Sequence, residues 1–210
     1  MHPVLFFDPI LIQTPRSKIY RRLGYRKGVT RMLPRQKEET ERYIEEALSL
    51  IRLTGAGLPV SILKKGASEI VLEGDIRIDS HQLAVFLRHC REMIIMGATA
   101  GSDIVNAIQE DTSGGDITRG VVFDATASEM TDAALDWIMD YFNRSLRREN
   151  KKLLQKRFSA GYGDLLLENQ ATIYKLLQLD RLGVRITESC MLIPEKSVTA
   201  ITGIELLSTG

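Results

Sequence analysis

Between Pro59 and Ser80 the chain reads PVSILKK, SEIVLEG and DIRIDS, three short β-rich runs separated by turns at Gly66 and Gly74. Connections this short suit antiparallel hairpins and not parallel crossovers, which need a dozen or more residues. The rest of the chain must build on that sheet. Upstream, IYRRLGYRKG predicts a short helix ending in a turn at Gly24 and Gly28. ETERYIEEALSLIRLTG predicts a helix with Tyr43, Ile44, Ala47, Leu48 and Ile51 on one face, stopped by Gly55 and packed on the sheet. Downstream, Ser80 is placed to cap a helix over HQLAVFLRHC, which feeds a buried strand, EMIIMG. A helix near Ser102 to Glu110, a strand GVVFDA and a long helix from about Ser128 to Arg148 follow. A helix around Glu168 to Leu179 precedes a terminal segment of strand and turn. Helices and hairpins together give an α+β class, a single domain with a twisted, largely antiparallel sheet flanked by helices; a mixed α/β sheet is the alternative.

With 210 residues, 44% of them hydrophobic, the chain can bury one substantial core, and no Pro/Gly/Ser-rich linker divides it. The formal net charge of +1 gives no bulk field for collecting nucleic acid or an anionic membrane. Cys90 and Cys190 lie in no CxxC or Cys/His cluster, which argues against structural zinc and fits a reducing, cytoplasmic setting. The apolar start is broken by Asp8 and Pro9, and no run approaches about 18 uninterrupted apolar residues, so a soluble, unexported protein is expected.

Charge is nevertheless uneven. From Arg16 to Lys37 there are nine basic residues and no acidic one, and from Arg144 to Arg157 seven against Glu149 alone; the remainder carries about −14. Two readings stand side by side: solvated basic faces, or surfaces that dock an acidic partner protein. With only Tyr20 and Tyr25 interleaved, nucleic acid is not expected as a partner.

Four stretches bear on chemistry. MGATAG, Met96 to Gly101, resembles a phosphate-cradling turn but lacks GxGxxG spacing, and tight packing is the better reading. DSHQLA approaches a cobalt-ligating DxHxxG pattern, yet Ser80 reads as a helix cap and Ala84 stands where that pattern has glycine. TESCMLIP places Glu188 and Cys190 on one face of an extended run, with Cys190 as core filler and no evident base to make it a nucleophile. RFSAGYGD, Arg157 to Asp164, is different. It packs a fixed cation, a hydroxyl, two glycines and a tyrosine into eight positions, which suggests a ligand with an anionic group and a flat one.

Arg157-Phe-Ser-Ala-Gly161-Tyr162 has the RxxxGY form of the AdoMet-binding loop in the activation (reactivation) domain of cobalamin-dependent methionine synthase. About two dozen residues on, LGVRITESCMLIPEKSVTAITGI resembles that family's second signature, and GATAGSDI through VVFDATASEMTDAALDW is similar to its stand-alone members. The resemblance covers roughly residues 15 to 205 and is strongest over 95–205. It implies a protein that binds S-adenosyl-L-methionine and supports reductive remethylation of cob(II)alamin, the cobalamin being held by a separate methionine synthase or other corrinoid protein. Flavodoxin or a ferredoxin-type reductant would supply the electron. By position, Arg157 would clamp the methionyl carboxylate, the backbone around Ser159, Gly161 and Tyr162 would meet the adenosyl and amino groups, and Asp136 would face the ligand. No general base and no metal ligand is implied, and the chain would be inactive alone. One departure is plain: GDLLLENQ stands where fused family members carry a Pro- and Cys-containing segment. The competing classes are a small-molecule AdoMet-dependent methyltransferase and a non-catalytic docking module.

Overall fold

The computed structural model describes residues 2–26 and 28–207. The hairpins predicted from Pro59 onward form the edge of a larger sheet. Strand β1 is Leu5–Phe7; helices α1, Arg16–Arg22, and α2, Pro34–Leu50, precede a long strand β2, Thr54–Lys65. Strands β3, Glu69–Leu72, and β4, Ile76–Asp79, follow, then α3, His81–Phe86, and β5, Glu92–Thr99. Helices α4, Ser102–Gly114, and α5, Ile117–Leu146, lead to β6, Lys151–Leu153. Helix α6, Asn169–Leu177, a two-stranded ribbon of β7, Arg185–Ile186, and β8, Leu192–Ile193, and the last strand β9, Ser197–Leu206, complete the chain.

The main sheet runs β4-β3-β2-β5-β9-β6, and every pairing is antiparallel. Strand β2 serves two partners on its outer edge: β1 pairs along Gly55 to Gly57, and β3 along Ile62 to Lys65. The sheet buries both faces, as the alternation along β5 shows. Ile94, Met96 and Ala98 join a core with the helices α1, α2, α4 and α5, while Met93 and Ile95 join a second core beneath α3 and α6.

The sequence reading fails at GVVFDA, which is no strand but lies in the first third of α5, a helix of 30 residues that begins at Ile117 with Asp116 accepting a hydrogen bond from the Arg119 amide at 3.1 Å. The β-branched residues there favour a strand locally. A burial pattern repeating near every fourth residue, through Val122, Thr126, Met130, Ala134, Ile138 and Phe142, overrides that preference. A second correction concerns α2, which ends at Leu50; Gly55 lies inside β2, and the helix packs chiefly on α5 instead of on the sheet.

Gly55 and Gly57 explain how α5 reaches the sheet. A Cβ on Gly55 would stand 2.8 Å from Ile138, and one on Gly57 only 2.4 Å from the Phe142 ring. The two glycines project to the same face, so their missing side chains form a groove in which α5 lies. Gly57→Ala is expected to lower the urea midpoint without changing the slope, at a cost of about 1–3 kcal/mol, because the buried ring cannot move aside cheaply.

Candidate functional site

Segment 151–159 zips along β9 and thereby sets the position of Arg157. Leu153 pairs with Ile204, the Thr202 hydroxyl donates to the carbonyls of Leu154 and Lys156 at 3.1 and 3.0 Å, and Phe158 exchanges both backbone hydrogen bonds with Ile201 at 2.8 and 2.7 Å. Alternation then divides the side chains. Phe158 packs toward Phe86 and the core beneath α3 and α6. Arg157 turns to α5, where Nη1 donates to Asp136 Oδ1 at 2.7 Å and Nη2 to Asp132 Oδ1 at 3.3 Å. The Arg157 side chain is only 20% exposed. The second oxygen of Asp136 accepts from Lys18 Nζ at 3.2 Å.

Beside Arg157 lies a cavity of about 340 Å3. Asp132 and Leu135 of α5 form one wall, Ser159 and Tyr162 of the loop another, and Cys190, Glu195 and the start of β9 the third. Of the residues singled out in the sequence, Arg157, Ser159 and Tyr162 line this space; Gly161 does not, and Asp136 sits on the other side of the guanidinium, lining a separate surface depression. The loop's amides are partly spent within it: the Gly161 amide donates to the Leu165 carbonyl at 2.8 Å and the Tyr162 amide to that of Ser159 at 3.1 Å. The Ser159 hydroxyl donates to the Thr199 carbonyl at 2.8 Å. Gly161 adopts φ +85°, so its glycine is required for the turn.

Three lining residues escape the sequence reading. Asp132 is one helical turn before Asp136 and on its face, a spacing that would have named it. Glu195 lies inside the second signature, directly after TESCMLIP. Gln170, at the start of α6, is 5% exposed; its Oε1 accepts from the Thr199 hydroxyl at 3.0 Å while its Nε2 has no partner among the described residues. Buried amide groups are nearly always satisfied, so this one marks a place where a ligand or water belongs. No periodicity announces it.

TESCMLIP is corrected. Thr187 to Met191 form a tight turn between β7 and β8, with the Thr187 amide bonded to the Met191 carbonyl at 2.9 Å, and Cys190 takes φ +62°. Glu188 and Cys190 therefore share no extended face, and Cys190 lines the cavity, half-buried, instead of filling the core. MGATAG serves packing as expected: a Cβ on Gly97 would press on Leu177 and Leu179 at 3.2 Å. Ser80 caps α3 by accepting from the Leu83 amide at 3.0 Å, and His81 Nδ1 lies 2.8 Å from the Ala67 carbonyl.

The last residue of RFSAGYGD has a separate task. Asp164 accepts from the Ser80 hydroxyl and from the amides of His81 and Gln82, at 2.8 and 3.2 Å, stapling the loop to the N-terminus of α3. Gly163 takes φ +58° beside this contact, and a Cβ there would have to push the Gln82 amide aside. The Ser80 hydrogen bond, followed by the backbone amides, holds the Asp164 carboxyl below its ordinary range.

No protein-family model matches the chain, and no curated protein matches it. Among solved structures it is similar to the MetH reactivation domain bound to AdoHcy, with a TM-score of 0.65 and 14% identity over 99% of this chain and 80% of that one. The two share a fold.

A carboxyl whose folded pKa is depressed stabilises above its unfolded value and loses that contribution as pH falls through the folded one. The gap in thermal midpoint between the parent and Asp164→Asn is therefore expected to stay constant from pH 7 to about 5 and to close below about pH 4, measured by circular dichroism melts.

Proposed function

We propose that this protein binds S-adenosyl-L-methionine in the cavity beside Arg157 and supports reductive remethylation of cob(II)alamin carried by a separate methionine synthase or other corrinoid methyltransferase. The observation that carries the reading is the pairing of Arg157 with Asp132 at the edge of a cavity built by both sequence signatures. The ligand has one carboxylate, one ammonium and one sulfonium. The cavity offers one guanidinium for the first and Asp132 and Glu195 for the cations, with the Gln170 amide to meet a polar edge and Leu135, Leu167 and Val198 as apolar wall. Its volume lies within the usual range for small-molecule sites, roughly 300 to 1,000 Å3. The AdoHcy bound by the structural neighbour is the demethylated form of the proposed ligand, which supports the same reading.

Arg157 is already neutralised by two carboxylates, and this shapes how it would act. A planar guanidinium with five donors keeps free N–H groups after binding Asp132 and Asp136, so a ligand carboxylate can join without displacing both. Asp132 and Asp136 then hold the fork in orientation. AdoMet supplies an electrophilic methyl group; the partner's cobalt, after accepting one electron from flavodoxin or a ferredoxin-type reductant, takes that methyl and AdoHcy leaves. The acceptor needs no deprotonation, so the contribution of this chain is to bind and orient the sulfonium.

Isothermal calorimetry with AdoMet tests the first half. Arg157→Ala is expected to weaken binding by about 1.5–3 kcal/mol, and Asp132→Asn to weaken AdoMet more than AdoHcy, which lacks the sulfonium charge. Equal affinity in Arg157→Ala rejects the site. For the second half, AdoMet, a reductant and this protein are expected to convert a corrinoid partner from cob(II)alamin to methylcobalamin, followed by the corrin absorption spectrum. Equal conversion without the chain, or comparable methylation of a small-molecule acceptor by the chain alone, rejects the partner role.

A further inference from the structure

Both basic runs are only partly ion-paired in the fold, and what sets the first apart is the apolar groove beside its unpaired cations. In the second, Lys151 pairs with Glu92 and Glu149, Lys152 with Glu205, and Arg157 with Asp132 and Asp136. In the first, Arg16 pairs with Glu41 and Glu45, Lys18 with Asp136, and Arg22 with the buried Glu129. Arg21, Arg26, Arg31, Arg35 and Lys37 are exposed and have no ion-pair partner among the described residues.

Three of them, Arg21, Arg26 and Arg31, border an apolar groove of about 400 Å3 between α1, the following loop and the first turns of α5. Arg21 is the chain neighbour of Tyr20, Arg26 of Tyr25, and Arg31 of both Thr30 and Met32, all four of which line it. On the opposite wall Ile117, 62% exposed, and Val121 turn apolar side chains outward from α5. The floor is built. Tyr20 and Tyr25 meet edge to face at 5.6 Å, and the Tyr20 hydroxyl donates to Glu41 at 2.8 Å. Partial burial and that carboxylate push the hydroxyl up to about 12.

A second observation points to an anionic occupant. The first turn of α2 contains Arg35 and Lys37 and no acidic residue. The partial positive charge of a helix N-terminus disfavours cations there, so two of them add to the positive potential of the first turn instead of relieving it, with Glu38 and Glu39 coming only in the next turn. A helix optimised only for its own stability would carry the opposite sign. Nucleic acid or a lipid headgroup would answer the charge but leave the apolar walls unused.

We propose that this groove docks an acidic amphipathic helix of a partner protein, its apolar side chains seated between Tyr25, Met32 and Val121 and its carboxylates facing Arg21, Arg26 and Arg31. Charge complementarity chooses the sign of the partner, and the groove chooses a helix whose apolar stripe repeats every three to four residues. None of its lining residues lines the ligand cavity, so the proposal stands whether or not AdoMet is the ligand.

The probe is a fluorescein-labelled peptide of about 18 residues, long enough to form a helix, with leucine on one helical face and glutamate on the others, titrated with the full chain and read by fluorescence anisotropy. Micromolar binding that weakens on raising salt from about 50 to 500 mM is expected. Val121→Ser and Arg26→Glu should each weaken it about tenfold or more. Arg148→Glu, the same charge change at an exposed position of the second basic run, should leave it unchanged. The Arg26 side chain is exposed and makes no hydrogen bond or ion pair among the described residues, so its variant tests docking even if Val121→Ser perturbs the fold. A peptide of the same composition with the apolar face scrambled should bind at least about tenfold more weakly. Equal binding of the two peptides, or equal loss in Arg148→Glu, overturns the proposal. So does Arg26-dependent binding of phosphatidylserine vesicles or duplex DNA in place of the peptide, or a dimer by light scattering that Val121→Ser abolishes.

Discussion

The seating of α5 against β2 is the constraint on which the remainder rests. Two glycines one residue apart leave the sheet bare where Ile138 and Phe142 press against it, bringing the helix nearer than any strand with side chains would permit. That approach fixes both the depth and the rotation of the helix. Asp136 and Asp132, about one and two turns before the middle of that contact, then fall within reach of Arg157 on the segment zipped to β9. A shift of the helix by one side-chain thickness would separate the carboxylates from the guanidinium. The candidate site therefore depends on a packing contact that contains none of its residues.

Much of the sheet was legible because local chemistry and tertiary demand agree there. Gly66 and Gly74 mark the hairpins, Ser80 is where a cap belongs, and the apolar run of β5 is buried on both faces. The misreading of Val121 to Phe123 arises where they conflict, since β-branched residues sit on a helix long enough for its burial period to dominate. At the site, composition exposed the loop because arginine, glycine and tyrosine are unusual together. Gln170 stayed hidden because its significance is an unmet hydrogen bond, which exists only once α6 is laid against β9. Gly161 was expected to adopt a backbone conformation or a ligand distance that a Cβ would spoil, and in the fold it takes the positive φ of a turn.

Charge had to be read in pairs. The sequence presents two basic segments as equivalent, and the fold leaves unpaired cations in both; what distinguishes the first is the apolar groove beside them, and that groove decides where an acidic partner would be met. The paired residues are partly exposed, so their ion pairs contribute little to stability and more to holding side chains in register.

Asp136 is shared between Arg157, at the cavity, and Lys18, on the helix that forms one side of the apolar groove. A single carboxylate thus belongs to two neighbourhoods. Anything that draws the guanidinium toward the cavity leaves Lys18 as the remaining partner of Asp136 among the described residues, and anything that moves α1 alters what Arg157 is bound to. Thermodynamic linkage makes such an effect symmetrical: the factor by which an event at one neighbourhood changes affinity at the other is the factor returned in the opposite direction. What the fold provides for such linkage is one carboxylate bonded to a residue of each neighbourhood.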